Sequence, residues 1–65
     1  MSDKNENAEA IAEFHEYANH HVQEASHFTS KVIDRVPTSE KRNLYTEANI
    51  LLLLALEKLK EAERA

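Results

Sequence analysis

The water-avoiding positions of this chain fall into two periodic series with one proline between them. In the first, Ile11, Phe14, Ala18, His21, Ala25, Phe28 and Val32 recur at alternating steps of three and four residues, the spacing of one stripe along an α-helix. In the second, Tyr45, Ala48, Leu52, Ala55, Leu59 and Ala62 repeat those steps. The chain has no glycine, and Pro37 is its one proline, so it carries a single strong break. The pattern predicts an all-α fold in one domain over residues 1–65: helix 1 over about 6–36, a turn at 37–38, helix 2 over about 39–64, and disorder at 1–5. Helix 1 should end near Val36, because the residue before a proline is pushed out of the α region. Thr38 and Ser39 are both good N-cap residues, and Glu40 falls in the first turn of helix 2, where the helix dipole favours negative charge. A connection this short makes the helices antiparallel neighbours, a two-helix hairpin.

The segment NILLLLALEKL, residues 49–59, breaks the amphipathic pattern, since Ile50 through Leu56 are apolar without interruption. A bilayer needs about 20 such residues, so this run does not span one. Leu52, Ala55 and Leu59 belong to the stripe turned toward helix 1. Ile50, Leu53 and Leu56 then lie on one flank, and Leu51 and Leu54 on another. Each large aliphatic side chain left in water forgoes roughly 1.5–3 kcal/mol relative to burial, and contiguous patches of this kind mark interaction surfaces. These five residues are therefore the expected interface of a homo-oligomeric helical bundle, closed symmetric assemblies being the common solution. The other reading is a small regulator or inhibitor that docks its apolar second helix on a different protein, as helix-in-groove ligands do.

Length and composition sharpen this. A single core in a 65-residue chain rarely supplies more than about 3–5 kcal/mol, so a staple is expected. With no cysteine the staple is not a disulfide, which suits a reducing compartment. The first ten residues, MSDKNENAEA, lack the basic and apolar regions of a signal peptide, so the expected location is the cytoplasm, or the host cytoplasm for a phage-encoded protein. The net charge of -4 disfavours long nucleic acid, whose phosphates require a basic surface, and no membrane partner is expected. The charge is unevenly spread. Glu6, Glu9, Glu13 and Glu16 crowd the start, whereas Lys31, Arg35, Lys41 and Arg42 place half of the eight basic residues around the turn.

Catalytic chemistry finds little support. Ser26, Ser30 and Ser39 have no evident base at a recognisable spacing, and a Gly-rich phosphate loop is impossible without glycine. No enzyme and no cofactor are expected. His15, His20, His21 and His27 never stand three or four residues apart, the spacing that places two ligands on one helix face. Glu24 and His27 do have the i, i+3 spacing of di-metal carboxylate bundles, with Glu47 available from the other helix, and they form the alternative metal site. The turn offers more. The open N–H groups at the start of helix 2 are a natural anion site, flanked by the hydroxyls of Thr38 and Ser39. Lys31, Arg35, Lys41 and Arg42 would contact phosphate, and Tyr17 and Tyr45 would stack on bases. The same cations also have a structural explanation, as complements to the dipole of helix 1 and as a solvated face of helix 2.

The stretch VPTSEKRNLYTEANILLLLALEKL resembles the C-terminal part of the anti-CBASS sponges of phages. Pro37, Ser39 and Glu40 stand at the turn in the family's manner, with Leu44, Thr46 and Ala48 following, and the likeness covers about residues 14–59. Leu51–Leu54 replace an aromatic and Asn-containing segment of that family, and only Phe14 and His15 stand for its His-Pro stretch, which leaves the ligand open. The resemblance implies a helical hairpin that assembles with copies of itself and sequesters a cyclic nucleotide-type second messenger between subunits, silencing a bacterial antiphage signal without destroying the messenger.

Overall fold

Pro37 determines where the chain reverses. The computed structural model describes residues 3–65, with side chains from Glu6 onward. Helix α1 (Asp3–Ile33) and helix α2 (Ser39–Arg64) lie side by side as a hairpin measuring 57 × 18 × 11 Å. Of the segment expected to be disordered, residues 1 and 2 lie outside the described residues, and Asp3 already opens α1.

Helix α1 stops at Ile33, three residues short of the expected Val36. A proline ring collides with the carbonyl four residues before it, here that of Ile33, so the effect of Pro37 reaches further back than its immediate neighbour. The last turn winds down through Asp34 N–H to Ser30 O (3.2 Å), Arg35 N–H to Val32 O (2.9 Å) and Val36 N–H to Val32 O (3.0 Å). The chain then extends through Thr38, the N-cap of α2, at φ -98 and ψ 142. The Thr38 carbonyl accepts the Arg42 N–H at 3.1 Å. Its hydroxyl makes no capping bond.

The two helices meet along small and medium side chains. On α1 the half-buried positions include His15, Ala18, Asn19, Val22, Ala25, Ser26, Thr29 and Ile33, and on α2 they are Asn49, Leu52, Ala55, Leu56 and Leu59. Leu52, Ala55 and Leu59 thus face α1, as their spacing predicts. Two expectations are corrected. The α1 stripe from Ile11 to Val32 reaches the hairpin seam only through Ala18 and Ala25, because α1 is turned by about one residue and leaves Ile11, Phe14, His21, Phe28 and Val32 exposed. Leu56, assigned to an outer flank, is half-buried inside the hairpin. Both follow from close approach: alanine, serine and threonine let the helix axes come together, whereas two phenylalanines would hold them apart. Ser26 Oγ donates to Asn49 Oδ1 at 2.7 Å and satisfies the polar groups that this rotation brings into the seam.

Among the described residues none is fully buried. Two helices share only one seam, so every side chain in it keeps water on one side. Nor is any described helix long and apolar enough to cross a membrane.

Candidate functional site

Two surfaces of the hairpin carry more than solvation requires. The first is the turn. Lys31 and Arg35 come from the end of α1, Thr38 and Ser39 from the start of α2, and Lys41, Arg42 and Tyr45 from its first two turns. Arg35 Nη1 donates to Lys31 O and Arg42 Nη2 to Val36 O, both at 2.8 Å. Each guanidinium therefore closes the frayed end of α1, in the way basic side chains satisfy terminal carbonyls. Each also keeps most of its five N–H donors. Among the described residues none of the four cations is paired with a carboxylate, whereas Lys58 reaches Glu61 at 3.6 Å and Lys60 reaches Glu57 at 3.9 Å. The first N–H groups of α2 open onto the same end.

Tyr17 does not join this group within one chain. It precedes Lys31 by fourteen residues on a continuous helix, about 21 Å at about 1.5 Å per residue, and its hydroxyl donates to Glu13 Oε1 at 3.1 Å. Tyr45 lies closer and is half-exposed.

Three of the four histidines meet carboxylates. His15 Nε2 meets Glu63 Oε2 at 3.0 Å across the open end of the hairpin, and Glu24 Oε1 is approached by His20 Nε2 at 3.2 Å and His21 Nδ1 at 3.5 Å. The ring of His27 stands edge-on to Phe28, at 5.4 Å between centroids. Among the described residues no three His, Asp or Glu side chains converge as metal ligands, so one hairpin does not gather Glu24, His27 and Glu47 into a site. His15 and Glu63 also edge a shallow groove with Ile11, Asn19, Gln23 and Ala62. It is an open surface between the helix ends.

The second surface is apolar. The Ser26–Asn49 hydrogen bond marks one edge of the helix–helix seam. On the opposite edge, by helical spacing, stand Phe14, His21, Phe28 and Val32 from α1 beside Leu44 and Leu51 from α2, with Ala18, Ala25, Ala48 and Ala55 between them. Phe14 is 67% exposed, Phe28 59% and Leu51 66%. The periodic stripe read from the α1 sequence is therefore real, and it is an outer face. The sequence reading put the assembly surface on α2 alone, as Ile50, Leu51, Leu53, Leu54 and Leu56. Ile50, Leu51, Leu53 and Leu54 are all exposed; by helical spacing Leu51 lies on the face of Phe14, Phe28, Val32 and Leu44, with Leu54 at its margin and Ile50 and Leu53 directed elsewhere. Val22 and Ile33 gave the available signal, since apolar residues off the stripe show that α1 has two faces to cover.

No family model, curated protein or solved structure matches the chain.

Proposed function

We propose that this chain is a self-associating helical hairpin that acts by binding rather than by catalysis. The observation that carries the proposal is an apolar face of two phenylalanines, a valine and two leucines open to water on a hairpin without one fully buried described residue. Burying such a face stabilises by roughly 1.5–3 kcal/mol for each large side chain, which is the staple a chain of this size needs.

The cargo we assign to the assembly is a small nucleotide of the cyclic second-messenger type, sequestered between subunits. Supporting this are four cations around a helix N-terminus that pair with no carboxylate among the described residues, with Tyr45 nearby, in a chain that is otherwise acidic. The likeness to anti-CBASS sponges at Pro37, Ser39, Glu40, Leu44, Thr46 and Ala48 points the same way. In that role the protein would blunt a bacterial antiphage signal without chemistry.

Native mass spectrometry tests both parts, with the protein alone and after incubation with cyclic di- and trinucleotides and cyclic ADP-ribose isomers. A discrete oligomer carrying an unmodified nucleotide is expected. An oligomer that ignores every compound removes the cargo and leaves assembly standing. A chain that stays monomeric overturns the proposal and moves the open face to the other reading, a helical regulator that docks on a different protein.

A further inference from the structure

Resting on the self-association reading, we infer that two copies pair face to face with their turns at opposite ends, about a two-fold axis that passes near the level of residue 23 in α1 and residue 53 in α2. From Phe14 to Val32 the α1 stripe reads the same in both directions, with Ile11 outside the pairing. Its positions 14, 18, 21, 25, 28 and 32 are separated by steps of four, three, four, three and four, so reversing the helix about residue 23 maps every position onto another. Large residues then meet small ones: Phe14 faces the partner's Val32, Ala18 the partner's Phe28, and His21 the partner's Ala25. These are the alternating layers by which antiparallel helices interlock.

Helix α2 shows the same symmetry on the same face. Positions 44, 48, 51, 55, 58 and 62 reverse about residue 53, placing Leu44 over the partner's Ala62, Leu51 over the partner's Ala55, and Ala48 under the aliphatic stem of the partner's Lys58. The hairpin brings the two centres level. Ser26 bonds Asn49 and His15 bonds Glu63, a register that sets residue 23 of α1 beside residues 52–55 of α2. One axis therefore serves both helices. Reversal also brings Leu54, at the margin of the face, close to the partner's Leu54.

Charge selects the antiparallel arrangement over turn beside turn. Glu6, Glu9, Glu13 and Glu16 occupy the start of α1 with no cation among residues 6–16, and turn-to-turn pairing would set two such segments together. Reversal sends them to opposite ends. It also carries the partner's Glu13 to the level between Lys31 and Arg35, neither of which is paired with a carboxylate among the described residues. The partner's Tyr17 arrives beside Lys31, closing the gap of about 21 Å that keeps this ring from the turn in one hairpin. Lys41 and Arg42 lie on α2, over which the partner's α1 does not pass, and remain for an anion.

The chain has no cysteine, so Thr38→Cys carries a unique nitroxide label at the turn. Pulsed dipolar spectroscopy is expected to show about 45 Å between labels, twice the rise from residue 53 back to residue 38 at about 1.5 Å per residue. A distance below about 25 Å overturns the antiparallel pairing and leaves self-association intact. Absence of dipolar coupling together with monomeric sedimentation overturns both. To test the face itself, Phe28→Asp should weaken the pair at least tenfold while Leu53→Asp leaves it intact, and the reverse result places the contact elsewhere.

Discussion

At the residue scale, the seam depends on a polar pair. Ser26 and Asn49 are part-buried and bond each other at 2.7 Å, so truncating one strands the other. Asn49→Ala should destabilise the hairpin by about 1 kcal/mol, in the usual range for a lost intramolecular hydrogen bond. Ser26→Ala combined with Asn49→Leu should recover most of that, since removing both polar groups leaves neither unsatisfied. Urea unfolding at fixed protein concentration checks this, and equal losses in the single and double variants would show that the bond contributes nothing. Thr38 gives a contrasting case. Although it occupies the N-cap of α2, its hydroxyl caps nothing, so Thr38→Ala should cost less than the roughly 0.5–2 kcal/mol of a working cap. For the proposed cargo, Lys41→Ala with Arg42→Ala should abolish nucleotide retention while the oligomer persists, because neither side chain lies on the apolar face. Retention by that variant in native mass spectra would move the site away from the turn.

At the scale of the helices, period was readable and phase was not. Steps of three and four fix that a segment is helical and that it has a stripe, but a stripe does not declare what covers it. Helix α1 carries small or apolar residues around more than one face, from Ala18, Val22 and Ala25 to Phe14 and Phe28. Two rotations were therefore compatible with the sequence, and close packing chose the one that excludes the phenylalanines. The leucine run of α2 hides its phase in a different way, by offering an apolar residue in every direction, and Leu56 was misplaced for that reason. The end of α1 was missed because a proline acts through a carbonyl four residues back as well as through its neighbour. The turn cations were visible as a cluster. Their capping bonds to Lys31 O and Val36 O were not, since those depend on where α1 stops. The rotation itself makes a prediction. Val22→Asp, in the hairpin seam, should lower helical content by circular dichroism at every protein concentration, whereas Phe28→Asp should do so only where the native chain is associated.

For the whole molecule, the proposed assembly ties shape to abundance. A ligand that binds only the folded state stabilises it by mass action, and a second copy of the chain is such a ligand. The thermal midpoint should therefore rise by several degrees for each tenfold increase in protein concentration, read by circular dichroism across micromolar to millimolar samples. A midpoint independent of concentration would mean that the hairpin stands alone despite having no fully buried described residue. That absence of an interior has a consequence in time as well as in energy. Among the described residues none is fully buried within one chain, so a separated copy is more open to proteolysis than a copy in company, which is protected where the faces meet. The protein would then persist while synthesis holds it above its association threshold and decay quickly once synthesis stops, giving its action a built-in expiry set by supply.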